Sequence, residues 1–293
     1  KKILFATTAL VATASVAAAD VTVGGFGRFG VNYLAASGAT AANTNITSRY
    51  RIVFSASTET DSGVTFGVKS QNQQDNGDTN VVGENGFAAV QFFAKSGGLT
   101  LRVGNIEGAF DSTAGLYSGS VGLTGLGYGN VVTGFATHDY DDKGNGSAAS
   151  QESAEVVYSM GDYTVHASHN GTDTELAASA SFSGVTVGLG TSSTKVSTQT
   201  EQLATVGGKV GGVSLGLAYG ATKGGVKHTT LSMGMSVGAA TSMSAYYADD
   251  KANTSKNYGI GLAHDLGAGA TLKGGYASID GRSRADFGVT FNF

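Results

Sequence analysis

The chain is 293 residues long, with 46 glycines, no proline, no cysteine and no tryptophan; charged residues make up 14% against a usual ~25%, and the formal net charge is −4. Collagen needs a strict glycine period and proline, and disorder needs a low apolar content, so 41% apolar residues without proline exclude both. The missing cysteines remove disulfide frameworks, thiolate metal sites and cysteine nucleophiles, and an acidic pI near 5.7 with scattered lysines argues against nucleic acid as a partner.

Residues 1–19 read as a secretory signal. Lys1 and Lys2 form a basic start, Ile3 to Val16 is uncharged and apolar, and Ala17-Ala18-Ala19 offers a small-residue cleavage site. The apolar run is too short to span a membrane as a helix, and no later stretch approaches 18 uninterrupted apolar residues. The folded part is therefore expected to be one domain over residues 20–293.

Beyond the signal the sequence runs with period two. Val21, Val23, Phe29, Val31 and Tyr33 share one face of the first run, with Thr22, Arg28 and Asn32 on the other. In the second, Ile46, Tyr50, Ile52 and Phe54 oppose Thr47, Arg49, Arg51 and Ser55. Similar runs begin near Val64, Phe87, Leu99, Ser153, Tyr163, Glu175, Val185, Glu201, Val213, His228, Thr241, Lys256, Ala270 and Arg284. About sixteen strands of roughly ten residues result, the length that a tilted strand needs to cross a bilayer.

The connections are expected to alternate strictly between long and short. Tight turns fall at 59–63, 97–98, 161–162, 183–184, 211–212, 239–240 and 267–269, with longer polar loops between them. A soluble sandwich has no reason to keep its short turns on one side, whereas an outer-membrane barrel has short periplasmic turns and longer extracellular loops. The predicted fold is all-β, a 16-stranded antiparallel transmembrane β-barrel. Closure satisfies every backbone group, which hydrocarbon requires, and a mean hydropathy of zero follows from an apolar outside averaged with a polar inside. Phe287, Val289, Phe291 and Phe293 share one face of the last strand, and tyrosines such as Tyr33, Tyr158, Tyr163, Tyr219, Tyr247, Tyr258 and Tyr276 suit interfacial girdles in outer-membrane lipid and lipopolysaccharide.

One connection, about 106–152, is over-long, and loops of that size are usually functional. Asn130 to Ala136 inside it is weakly strand-like but is kept as loop, since a seventeenth strand would break the even count. From Val103 to Asp142 there is no lysine or arginine, but Glu107, Asp111, Asp139, Asp141 and Asp142 are present. The first five strands carry Arg28, Arg49, Arg51, Lys69, Lys95 and Arg102, most of them on the polar face and so directed inward; Lys95 lies on a strand of ambiguous alternation. A lipid-facing arginine at the midplane would cost ~2–4 kcal/mol, which supports that direction. The acids of the same stretch, Asp20, Glu59, Asp61, Asp75, Asp78 and Glu84, fall at the terminus, in a turn or in a loop, so the inner wall is expected to be purely basic. If the long third loop folds into the lumen, its acids face that wall and set up a transverse field in a narrow passage.

Gly-Arg-Phe-Gly at 27–30, Ser-Arg-Tyr-Arg at 48–51, Thr-Glu-Thr-Asp-Ser-Gly-Val-Thr-Phe-Gly at 58–67, Val-Gly-Asn-Ile-Glu-Gly-Ala-Phe-Asp-Ser at 103–112 and Ala-Asp-Phe-Gly-Val-Thr-Phe-Asn-Phe at 285–293 resemble the general diffusion porins of Rhodobacter-type alphaproteobacteria. The resemblance implies a homotrimer of sixteen-stranded barrels in the outer membrane, each passing small hydrophilic solutes. It implies a third loop folded inward as an eyelet, with Arg28, Arg49 and Arg51 matching the wall arginines and Glu107 and Asp111 the start of that loop. Lys69 and Arg102 extend the basic wall by their face. The terminal Phe293 resembles the signal read by the barrel assembly machinery. No cofactor is required, but Asp139, Asp141 and Asp142 are candidates for a calcium site of the kind that family members hold among loop carboxylates.

Other motifs carry less. Gly25 to Gly30 fits G-x-G-x-x-G, but no helix follows to hold a phosphate. Asp139 to Gly144 places Lys143 where a calcium ligand belongs. The histidines at 138, 166, 169, 228 and 264 form no metal motif, and His166 and His169 fall on opposite faces. A barrel enzyme would need acid, histidine or serine groups clustered at one end, and an adhesin would need elaborated outer loops. The alternative kept is a substrate-specific channel of the same fold.

Overall fold

The computed structural model describes residues 19–75, 87–117, 119–127, 153–195, 200–222, 224–250 and 256–293. The predicted signal lies outside this range but for Ala19, and Asp139, Asp141 and Asp142 lie outside it altogether.

Sixteen strands follow one another: β1 (Asp20–Leu34), β2 (Asn43–Glu59), β3 (Thr65–Asp75), β4 (Gln91–Ser96), β5 (Leu99–Gly104), β6 (Ala154–Met160), β7 (Tyr163–His169), β8 (Asp173–Phe182), β9 (Val185–Thr194), β10 (Thr200–Val210), β11 (Val213–Ala221), β12 (Lys227–Ser236), β13 (Thr241–Asp250), β14 (Lys256–Gly267), β15 (Ala270–Ile279) and β16 (Arg282–Asn292). Each pairs antiparallel with its neighbours, and β1 pairs with β16 to close the barrel. No sheet edge is left, which is what a chain crossing hydrocarbon requires.

The burial pattern is inside-out. Large apolar side chains such as Val21, Phe29, Leu189, Leu217, Leu262 and Phe287 are exposed on the outer face, while Thr47, Gln71, Glu155, Ser192 and Asp286 are buried inside. Period two produces this directly, since alternate residues of a strand point to opposite faces. The seven tyrosines singled out in the sequence all lie exposed on the outer face. At the closing seam, Gly27 of β1 lies opposite Phe291 of β16, and a Cβ at Gly27 would come within 2.5 Å of that ring. The glycine makes room for the aromatic to lie across its bare backbone.

Two expectations of regularity fail. Connection lengths do not alternate strictly, because residues 170–172 between β7 and β8 and residues 280–281 between β15 and β16 are as tight as the turns at the opposite end. The Asn170 side chain closes the first by accepting the Thr172 and Asp173 amides at 2.9 and 2.6 Å. The second is Asp280-Gly281 with both φ angles positive, 52° and 74°, the two-residue turn that matches strand twist. Nor are the strands uniformly near ten residues. β4 and β5 have six and β6 and β7 seven, whereas β1 and β2 have 15 and 17.

The packed core of the molecule lies inside the barrel, between the wall and the long connection after β5. Phe110 and Leu116 of that connection pack with Leu203 and Ala218, while Val121 and Leu126 pack with Tyr246, Ala248, Ala277 and Ile279. The described part of the third loop, residues 105–117 and 119–127, is folded into the lumen.

Candidate functional site

The path of the loop can be followed strand by strand. It leaves β5 at Asn105, whose carbonyl accepts from Gln91 Nε2 at 2.6 Å. Three successive backbone amides then reach three successive strands. Gly108 donates to Glu155 Oε2 of β6 at 3.0 Å, Ala109 to Ser168 Oγ of β7 at 2.8 Å, and Phe110 to Glu175 Oε2 of β8 at 3.0 Å. Ser168 itself donates to Glu175 at 3.1 Å. Further on, Thr205 of β10 donates its hydroxyl to the Ala114 carbonyl. Near the end of its described part Asp286 of β16 accepts three bonds, from Leu123 N at 2.9 Å, Thr124 N at 2.6 Å and Thr124 Oγ1 at 2.7 Å.

Glycines on the inner face let the loop lie this close. A Cβ at Gly275 would stand 2.7 Å from Gly122 Cα, one at Gly261 2.8 Å from Gly122 N, and one at Gly259 2.9 Å from Val121 Cγ2. At Gly30 and Gly288 it would stand 2.6 Å from Leu123 Cδ2. The wall from β6 round through β16 to Gly30 of β1 thus forms a trough, and the described part of the loop lies along it. A buried carboxylate that accepts backbone N–H groups satisfies both partners where water is excluded, and each such charge-assisted bond contributes about 1.5–3 kcal/mol.

The inner face of β1–β3 is of another kind. Arg28, Arg49 and Arg51 all point inward, as their spacing predicts, and so do Lys69 on β3 and Arg102 on β5. The inner wall is not purely basic, however. β3 continues to Asp75, which pairing register sets opposite Arg49, itself opposite Arg28. Asp75 is therefore a strand residue facing the lumen and not a loop residue, and it pairs with Arg49 and, at 3.9 Å, with Arg28. The alternation Lys69, Gln71, Gln73, Asp75 places it on the inner face.

Gln73 extends the pattern. Its amide nitrogen donates to Asp75 Oδ2 at 3.1 Å, and its oxygen accepts Arg51 Nε and Nη2 at 2.9 and 2.6 Å. The Arg51 guanidinium also stands 5.7 Å from the centre of the Phe26 ring. Arg102 donates to Glu155 at 2.6 Å, and His166 Nε2 approaches the second oxygen of Glu155 at 3.1 Å. Lys95 faces inward near the Phe93 ring at 4.9 Å.

Among the described residues the loop and the β1–β3 wall are bonded at two places. At the loop root Glu107 pairs with Lys69 at 3.5 Å, and near the end of the described part Arg28 Nη1 donates to the Leu123 carbonyl at 3.4 Å. Between them Asp111 accepts from the Tyr117 hydroxyl, on a ring that is exposed to the lumen. Glu107 and Asp111 thus lie on the loop side of the passage and the arginines on the other. At an effective dielectric near 20 two charges at 4 Å interact by about 4 kcal/mol, against about 1 kcal/mol in water, so a narrowed passage amplifies such an arrangement.

Sequence reasoning did not single out Glu155, Glu175, Asp286 or Ser168. A signal was present: each is an acid or hydroxyl on the polar face of its strand, and Glu155 and Glu175 have no lysine or arginine nearby in sequence to pair with. Among the described residues no group of three or more His, Asp or Glu is placed to hold a metal ion. The Gly25–Gly30 motif lies within β1 and opens no helix, and those glycines serve the seam and the seat of Leu123.

Residues 6–284 match the Gram-negative porin family. A porin of Fuscovulum blasticum is 30% identical to the chain over 292 residues, covering 94% of this chain and all of that protein. Solved variants of the Rhodopseudomonas blastica porin are 27% identical, again covering 94% of this chain and all of theirs, with TM-scores of 0.83 and 0.81.

Proposed function

The chain belongs to the Gram-negative porin family, an outer-membrane β-barrel channel that passes small solutes, and from that premise we propose that it is a general diffusion porin whose selectivity is set where the third loop faces the β1–β3 wall. One observation carries the reading. The loop is pinned along the trough of β6–β16 by Glu155, Glu175 and Asp286, which leaves the arginine-bearing face of β1–β3 as the other side of the passage. A solute crossing that gap has fixed cations on one side and Glu107 and Asp111 on the other. Polar solutes orient in such a field, while apolar ones lose hydration without compensation. The channel works passively and without chemistry, so no cofactor is needed. Calcium on Asp139, Asp141 and Asp142 remains a separate proposal, tested by whether chelation changes the conductance.

The assembly proposed is a homotrimer embedded in outer-membrane lipid and lipopolysaccharide. The strand lengths support it. A lipid-facing strand needs about 9–11 residues to cross hydrocarbon, and β4 to β7 have six or seven. A sector that low is suited to contact with a neighbouring protomer and not with lipid. Residues 1–19 are proposed as the export signal, and the aromatic face of β16, with Phe287, Phe291 and Phe293, as the handle for the barrel assembly machinery.

The test is reconstitution in a planar bilayer, with single-channel current recorded in potassium chloride and in a salt of bulky ions. Large ohmic steps in groups of three, scaling with ion mobility, are expected. Small steps blocked by one particular solute would favour the substrate-specific alternative. No steps at all from folded protein would overturn the channel reading of the lumen.

A further inference from the structure

On the strength of that channel reading, we propose that Asp75 is the residue that sets the ion preference of the passage, by neutralising and aligning the arginines of the basic wall from within. The argument begins with register. Arg28, Arg49 and Asp75 form one row across β1, β2 and β3, all on the inner face. Asp75 pairs with both arginines, while Gln73, two residues earlier on the same face, bonds to Asp75 and to Arg51. The three guanidinium groups therefore hang on one rail, the inner edge of β3 from Gln73 to Asp75.

Two consequences follow from the chemistry of that rail. The first is charge. Three cations with one carboxylate among them present a smaller positive potential to a passing ion than three cations alone, and at this range the difference is not screened away, because a Debye length at physiological salt is ~8 Å. The second is geometry. Arginine side chains are long and carry much rotamer freedom, so an acceptor that fixes Arg49 Nε fixes where its charge stands. The Asp75 side chain is only 9% exposed, whereas that of Arg49 is 29% exposed. Ions crossing the passage thus meet the arginine, whose orientation and net field Asp75 governs from behind. A wall without this acid would be a stronger anion attractor facing the same loop.

The experiment measures the reversal potential of the full channel under a potassium chloride gradient for wild type, Asp75→Asn, Asp75→Glu and Gln73→Glu. Asp75→Asn is expected to raise the chloride-to-potassium permeability ratio by about two- to five-fold, and more at low salt than at high. Asp75→Glu restores the charge and should lie near wild type. Gln73→Glu adds a second acid to the rail and should move the ratio the opposite way. Folding is checked by barrel mobility before and after heating. A folded, conducting Asp75→Asn channel with an unchanged reversal potential would overturn the proposal. Where that variant does not fold, Gln73→Glu decides: a shift toward potassium supports it and no shift overturns it. Absence of channels in folded wild type is a different failure, which falls on the porin reading and not on Asp75.

Discussion

The two inner walls of the barrel are built from the same period-two strands, yet they solve opposite problems. From β6 to β16 the inner face carries glycines and carboxylates, and it exists to hold the loop. From β1 to β3 the inner face carries arginines, glutamines, Lys69 and one acid, and apart from the contacts of Arg28 and Gly30 with Leu123 and of Lys69 with Glu107 it faces the open passage. Acids on the first wall bind loop backbone amides, Glu155 together with Arg102 and His166, and are spent on structure. The acid on the second binds side-chain cations and modifies a field. Residue type alone therefore does not tell function inside a barrel; what faces the residue does.

The largest effect should come from filling the trough. Gly275→Leu would drive a side chain into Gly122, which lies against the bare backbone there, so the loop must leave the wall. Single-channel conductance is expected to change by half or more, with added open-channel noise from a loop that has lost its seat, and stability should fall by roughly 1–3 kcal/mol, as for overpacked cores. Conductance equal to wild type would mean that the loop does not bound the passage. Asp286→Asn combined with Glu175→Gln acts on the same wall more gently, since it weakens charge-assisted bonds to three loop amides without introducing bulk. Noise and a lowered thermal unfolding temperature in detergent should follow, with the reversal potential less altered than by changes on the other wall.

Changes on the β1–β3 wall should invert that signature. Arg49→Ala with Arg51→Ala removes two lumen cations whose bonds among the described residues go to Asp75 and Gln73 of β3, so the reversal potential under a salt gradient should shift toward cations while the unfolding temperature moves little. Glu107→Gln should shift it the other way and by less, because Glu107 is half-exposed and Lys69 already answers it at 3.5 Å. Both shifts should shrink between 0.1 and 1 M salt, where the Debye length falls from ~10 to ~3 Å. Persistence at 1 M would mean that steric change and not charge is responsible.

Much of this was legible in the sequence. Alternation fixed the face of Arg28, Arg49, Arg51 and Arg102 without any structure, because a one-residue error would have put an arginine in lipid. Glu107 and Asp111 were identifiable as loop acids from the absence of nearby bases. Asp75 reads as a loop residue because three glutamines and one asparagine, 71–74, hide the end of β3: the strand has no apolar outer residue there to betray it. The latching acids were invisible as a set because their partners are loop amides from 47 to 163 residues away, and no local pattern encodes such a distance. The short turn at Asp280-Gly281 is written in its residue pair, the favoured two-residue hairpin link, whereas strict alternation of long and short connections predicts a long loop there.

That turn supplies the smallest and most selective test of the comparison. Gly281 has φ 74° and follows Asp280 at φ 52°, so the two-residue link between β15 and β16 depends on left-handed backbone at both positions. Gly281→Ala keeps every inner-face residue but adds a Cβ where that conformation costs an L-residue about 1–2 kcal/mol. The turn sits at the barrel rim, beyond Arg282 and Arg284, where Asp280 N donates to Asn257 Oδ1 at 2.7 Å; the preceding Ile279 packs against Val121 and Leu126, but among the described residues Gly281 itself bonds neither the loop nor the arginine row. Unfolding temperature should therefore drop slightly, with conductance and reversal potential both unchanged. The three signatures separate cleanly: the trough moves conductance and stability, the arginine wall moves selectivity alone, and the rim moves stability alone. A selectivity shift in Gly281→Ala would mean that strain at the rim travels down β16 through Asp286 to the loop, and that the two walls are mechanically one.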